Sequence, residues 1–425
     1  MENRKFKLDN TALIHMASKN KHWSNIFRLS VTLYDDINPQ ILQKALEHMT
    51  PRFPTIIASI HKGFFWYYQK PVTSIPNITK DTYLLKAMSK KELERCATRV
   101  MYSDKSINVE LFHSITDGKG GIIFLKSLVY EYLKIKEKVN VSNLGAWDIL
   151  STEDRPEENE LQDAYRNLQT SMKPSNAQEQ NKNIFQFKDD QSDYLHLNKF
   201  IFDINDIKPL AKTYHASLTV LISAIIMKAM INIQKEKETL DKQKIVKLFL
   251  PIDLRNIMGQ QTLRNFVFYI KPEINPKQDQ DKLMDIIESI KKQMNQGLQK
   301  ENLKARIEKN VKLQNSLIIS AMPLFLKEFM LKQGFKISEK TTSLTVSNMG
   351  IVEMPEQLNE YIQHFDCLLN TRSDTPYNCG IISYDGKLYV NFIRNTEHAL
   401  LERAMAQIIS DLSIVHRIEK TQYRI

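Results

Sequence analysis

Alternating apolar and polar positions mark a series of strands along the chain. Phe27, Leu29, Val31 and Leu33 alternate with Arg28, Ser30 and Thr32, which predicts a half-buried strand over 23–34. Ile107, Val109 and Leu111 alternate with Asn108 and Glu110 in the same way. Runs at 55–60 and 64–68 predict a hairpin across Lys62-Gly63. Leu388, Val390 and Phe392 predict one arm of a later hairpin that turns at Asp385-Gly386. Further strands are expected at 197–202, 245–250 and 343–348.

Helical spacing takes over between these strands. Asn38 as cap and Pro39 at the first helical position open a helix with Ile41, Leu42, Ala45, Leu46 and Met49 on one stripe. Ile122, Leu125, Leu128, Val129, Tyr132 and Leu133 form a second stripe. Another helix is expected after Asn205. Ser217 caps a strongly apolar helix over 218–233 that must be buried on most faces. Residues 282–340 hold long amphipathic runs. Leu317, Ile318, Met322, Phe325, Phe329 and Met330 among them are expected in the core, with a membrane-facing or substrate-facing surface as the alternative. A final helix spans 397–416.

Residues 151–193 are rich in Glu, Gln, Asn, Asp and Ser without a clear period. They predict an exposed linker, partly helical around 161–168. The mixed order of elements on either side predicts an α/β (α+β) protein of two domains, 1–170 and 194–425.

Composition narrows the class. With 42% hydrophobic and 25% charged residues, the 425-residue chain matches an ordinary soluble globular protein. Cys96, Cys367 and Cys379 are an odd number without metal-like spacing, which argues against a disulfide framework or zinc site and fits a reducing cytoplasm. No apolar core of signal-peptide length follows Met1, and the apolar stretches 218–230 and 317–326 are too short to span a bilayer. The net charge of +10 comes from lysines spread along the chain, with no nucleic-acid module signature. It suits a solvated Lys-rich surface, a phosphate-bearing substrate or an anionic surface. There is no Gly-x-Gly-x-x-Gly, Walker loop, His-Glu-x-x-His or Cys-x-x-Cys, and no bound metal is expected.

The candidate chemistry lies at Phe112-His113-Ser114-Ile115-Thr116-Asp117-Gly118, between a predicted strand and a predicted helix. His113 is suited to proton transfer near neutral pH. Asp117 could orient its ring directly or fold back to lock the loop, and spacing does not decide between these. A capping Asp beside a merely packed His is the plainer alternative.

This stretch resembles the His-x-x-x-Asp-Gly motif of the CoA-dependent acyltransferase superfamily, which includes chloramphenicol acetyltransferase, plant BAHD acyltransferases, peptide-synthetase condensation domains and alcohol acetyltransferases. Many condensation domains carry two adjacent histidines; here Phe112 replaces the first, which leans towards ester-forming transfer. Other segments follow in the family's order. They are Leu42, Ala45 and Leu46 with Arg52-Phe53-Pro54, then Pro251-Ile252-Asp253-Leu254-Arg255, Asn265-Phe266, Ser347-Asn348-Met349-Gly350 and Ser383-Tyr384-Asp385-Gly386-Lys387-Leu388. Arg264 stands where the family pattern has glycine.

The resemblance implies two similar chloramphenicol acetyltransferase-like domains, each a mixed sheet with flanking helices, and an active-site tunnel between them. It implies His113 as general base, with Asp117, Gly118 and Arg255 supporting the site and Arg255 paired to Asp117. Asn265, Ser347 and Asn348 would line the substrate channel. Acyl-CoA, with acetyl-CoA foremost, would be co-substrate to a small alcohol or amine acceptor, as in alcohol O-acetyltransferases, with no covalent intermediate. A donor on an acyl carrier protein, as in condensation enzymes, and a non-catalytic binding module are the rival readings.

Overall fold

The computed structural model describes residues 4–19, 23–167, 183–278, 282–315, 321–371 and 375–424. Residues 168–182 of the expected linker, and Leu317 and Ile318 of the expected core helix, lie outside them.

Three sheets form, and the two larger ones each back a core. The first is five-stranded, in the order Ile362–Leu369, Ile26–Leu33, Ser106–Phe112, Thr98–Tyr102, Thr79–Lys80. Only its last pair is parallel. Helices Pro39–Met49 and Gly118–Glu137 pack together beside it, and their apolar stripes fill a core with Leu29, Val31, Val109 and Leu111. Asn38 caps the first of these helices, accepting from the Ile41 amide at 3.1 Å.

The second sheet is eight-stranded. Val267–Ile270, Val246–Asp253, Leu344–Ile351, Tyr377–Tyr384, Lys387–Thr396, Gln191–Asp203 and Arg417–Arg424 lie in order, with Glu273–Ile274 also pairing Val246–Asp253. Leu344–Ile351 runs parallel to both its neighbours and the other pairs are antiparallel, so the sheet is mixed. Helix Leu218–Lys237, capped by Ser217, fills the core behind it. It is longer than the stretch seen in the sequence, and its length and composition would let it cross a bilayer. Within the fold, 72% of its apolar window is buried in protein.

A three-stranded sheet, Phe6–Lys7, Tyr67–Pro71 and Ala58–Lys62, completes the set. The early hairpin is offset from its expected position, because Lys62 pairs Tyr67 and the connection runs through Gly63 to Trp66. The late hairpin turns where expected. Asp385 and Gly386 have φ of 45° and 70°, the left-handed pair of a type I′ turn.

Several elements differ from expectation. Strand Ile362–Leu369 follows the linker in sequence yet pairs with Ile26–Leu33, so the second half contributes a strand to the first sheet. Within the polar stretch, Glu160, Leu161 and Ala164 are buried. Arg52 forks onto Glu160 at 2.6 and 2.8 Å, which lets a carboxylate leave water. Phe325, Phe329 and Met330, expected in the core, are exposed. Leu324 and Lys327 supply the buried side of their helix instead.

Candidate active site

Strand Ser106–Phe112 delivers the chemistry-bearing loop. Phe112 is fully buried at its end, and the next residue, His113, donates its amide to the Asn25 carbonyl at 2.8 Å. The Ile115 amide bonds back to the Phe112 carbonyl at 3.0 Å and closes a tight turn. Thr116 Oγ1 donates to the Leu263 carbonyl at 2.6 Å, so the turn is tied to the second half of the chain. Asp117 then caps helix Gly118–Glu137, accepting from the Gly120 amide at 3.1 Å.

Asp117 is fully buried and has further partners. Arg255 Nη2 donates to Oδ1 at 3.0 Å and the Phe266 amide to Oδ2 at 2.7 Å. Arg255 is itself saturated. Its Nε donates to the Thr262 carbonyl at 2.7 Å, Nη1 to Asp253 at 2.7 Å, and Nη2 also to the Arg264 carbonyl at 2.8 Å. A buried charge pair persists only when both partners are hydrogen-bonded in this way. Of the two roles left open for Asp117, the geometry is the locking one.

Two glycines let the halves close. A side chain on Gly120 would stand 2.3 Å from the Leu263 carbonyl oxygen. One on Gly118 would stand 2.7 Å from the Met349 sulfur.

The His113 ring is half-buried between His15, stacked at 4.5 Å, and Phe27 at 5.0 Å. Its Nδ1 lies 3.2 Å from Asn265 Oδ1. An amide oxygen only accepts, so Nδ1 carries the proton and Nε2 keeps the lone pair. Burial lowers the ring's pKa below the ordinary histidine value, against the opposing pull of Asp117 and the Asn265 bond. The ring is therefore held neutral, with a basic nitrogen, near pH 7.

Asn265 is buried and faces Asp9 on its other side, favouring that carboxylate's charged form. Burial pushes the Asp9 carboxyl up to about 7, assisted by Asp163 and opposed by Arg264. Asp9 caps helix Asn10–Ser18, which carries His15. His15 Nδ1 is hydrogen-bonded to the Asn25 side-chain Nδ2, and Ser114 Oγ donates to the Ala12 carbonyl at 2.8 Å. Arg264 donates through Nη2 to the Lys7 carbonyl at 2.6 Å. The arginine standing in place of a glycine thus pins the N-terminal segment across the loop.

Of the expected site residues, the structure gathers His113, Asp117, Gly118, Arg255 and Asn265 around one loop. Asn265 contacts the His113 ring rather than only lining a channel. Ser347 and Asn348 separate. Leu344 and Val346 face the second core, and Asn348 on that same side donates to Thr219 Oγ1 at 2.7 Å. Alternation puts Ser347 on the other face with Met349, the residue that meets Gly118. Asp9, His15 and Asn25 were not singled out in the sequence. Asp9 ahead of Ala12, Leu13 and Met16 is a capped-helix signal, but nothing local ties it to residue 113.

The sequence matches no known family model and no curated protein sequence. Solved structures do match in fold. F. sporotrichioides TRI101 complexed with coenzyme A and T-2 aligns with TM-score 0.65 at 10% identity, covering 98% of this chain and 100% of that one. The TRI3 trichothecene 15-O-acetyltransferase from Fusarium sporotrichioides aligns at 0.59 with 12% identity over 95% and 94%. The chain has the chloramphenicol acetyltransferase-like fold. The first condensation domain of the calcium-dependent antibiotic synthetase shares this fold, with TM-score 0.57, 10% identity and 97% coverage of both chains. In this fold the loop at His113 and the Arg255 segment come from opposite halves of the sequence, and Asp117 joins them.

Proposed function

We propose that the protein is an acyltransferase that moves an acyl group, with acetyl foremost, from a CoA thioester to a small alcohol or amine. The observation that carries this reading is a neutral His113 whose Nδ1 faces Asn265 Oδ1, on a loop locked by Asp117 and Arg255. Fold neighbours bound to coenzyme A or named as acetyltransferases support it. His113 acts as general base, and Asp117, Gly118 and Arg255 hold its loop.

In the reaction, Nε2 of His113 takes the acceptor hydroxyl proton as the oxygen attacks the thioester carbonyl carbon. The tetrahedral intermediate collapses, the C–S bond breaks, and the imidazolium returns the proton to the leaving thiolate. No enzyme nucleophile is needed. General base action accounts for about 10²–10⁴-fold. Positioning between the two halves and stabilisation of the oxyanion supply the rest. Ser347, on the face shared with Met349, is the candidate side-chain donor to that oxyanion. In this reading the chain divides into domains at 1–170 and 194–425, and the reactants meet between them. Three buried free thiols fit a reducing cytoplasm.

The test is thiol release from acetyl-CoA and longer acyl-CoAs with a pool of alcohols and amines, with His113→Ala alongside. Acceptor-dependent release that disappears in His113→Ala is expected. Release unchanged in that variant would refute the mechanism. Release only from a carrier-protein thioester would move the donor to the condensation-type reading, with which the condensation-domain neighbours are consistent. Binding without turnover on any donor would make the protein a binding module.

A further inference from the structure

Among the described residues, helix Leu324–Glu339 carries an apolar face that nothing covers. Phe325, Leu326, Phe329 and Met330 are 63%, 43%, 64% and 57% exposed. Phe64 and Phe65, in the connection between Ala58–Lys62 and Tyr67–Pro71, are 74% and 48% exposed. The two groups are fastened side by side. The Leu324 amide donates to the Phe64 carbonyl at 3.0 Å, and Lys327 Nζ donates to the Phe65 carbonyl at 2.9 Å. Six exposed apolar side chains thus lie together on one surface rather than scattered singly.

The surroundings of this surface are basic. Lys7 lies over the Trp66 ring at 3.8 Å, and Lys5 and Lys70 over Tyr68 at 5.2 and 5.5 Å. Lys62 and the exposed Lys332 add to them. Across the hairpin and residues 324–335 the sole carboxylate is Glu328, paired with Lys62 at 2.7 Å. An uncharged apolar partner would make no use of these lysines. A second copy docked face to face would set lysines against lysines.

We propose that this face docks the protein on an anionic phospholipid bilayer. Phe64, Phe65, Phe325 and Phe329 enter the boundary between headgroups and acyl chains, and the lysines meet the lipid phosphates and carboxylates. The inner side of the same helix packs on helix Asn10–Ser18, which carries His15 against His113. Docking therefore turns the His15 side of the site towards the bilayer, where an apolar acceptor would be dissolved.

Flotation of the full chain with phosphatidylcholine vesicles, with and without about 30% phosphatidylserine, tests this. Binding is expected only with phosphatidylserine and is expected to weaken as salt rises. The triple variant Phe64→Ser, Phe325→Ser, Phe329→Ser is expected to lose about 100-fold in vesicle affinity. Lys332→Gln is expected to lose about fivefold. All four side chains are exposed, so circular dichroism should be unchanged and thiol release with a water-soluble acceptor retained. No binding to phosphatidylserine vesicles, or equal binding by the triple variant, would overturn the proposal. So would a wild-type dimer that the triple variant dissolves, or capture of an acidic carrier protein by this face without vesicle binding.

Discussion

His113 and Asp117 stand four residues apart on one loop and are held in opposite ways. Asp117 takes Arg255 and the amides of Gly120 and Phe266 on its two oxygens. Every bond it makes joins one half of the chain to the other or starts a helix. His113 lies between two rings and meets one side-chain amide, Asn265, through Nδ1. The loop thus separates a saturated group that holds shape from a ring that, in the proposed reaction, exchanges a proton. A buried ion pair with all partners met is costly to move, which suits it to fixing the loop that carries the His113 imidazole.

Breaking the saturated side should have the largest effect. Arg255→Ala leaves Asp117 charged and buried, so urea unfolding should show a loss of about 3–5 kcal/mol, with acyl transfer lost too. Next is His113→Ala, which should lower acceptor-dependent thiol release by about 10²–10⁴-fold while leaving the unfolding midpoint near wild type. Equal damage to stability and turnover in both variants would erase the distinction between the two residues.

Asn265→Ala should cost about tenfold in turnover through the lost hydrogen bond. It should also move the acidic limb of the rate profile to lower pH, because the Asn265 bond raises the His113 pKa. The wild-type limb should already lie below the ordinary histidine value, since burial lowers that pKa.

At Asp9 the expected effect lies in the pH dependence of stability rather than in turnover. Its folded pKa of about 7 lies above the ordinary 3.8, so it penalises folding once ionised. The wild type should lose stability as pH rises from about 4 to about 7, the unfolded chain ionising first. Asp9→Asn keeps a competent helix cap and should flatten that slope, read from unfolding at the two ends of the range. A variant that follows the wild-type slope would remove Asp9 from the His113 environment.

Much of the scaffold was legible because periodicity survives where a face is buried. Ile26–Leu33, Ser106–Phe112, Pro39–Met49 and the Asp385-Gly386 hairpin follow directly from spacing and turn chemistry. Arg417–Arg424 was missed because it is a largely exposed edge strand with a mainly polar sequence. The exposed Phe325 face was misassigned to the core, since periodicity reports an apolar face and not what covers it. Within the site, the motif pointed to His113, Asp117 and Arg255. Asn265 at the ring, and Asp9 and His15 beside it, depend on contacts more than ninety residues apart in sequence, which no local pattern encodes.

The most direct measurement is the ¹⁵N chemical shift pair of the His113 imidazole near pH 7, in protein labelled at histidine and assigned with His113→Gln. A neutral ring protonated at Nδ1, with Nε2 bare, is the predicted state. An imidazolium, or a ring protonated at Nε2 alone, would contradict the assignment of His113 as the poised base.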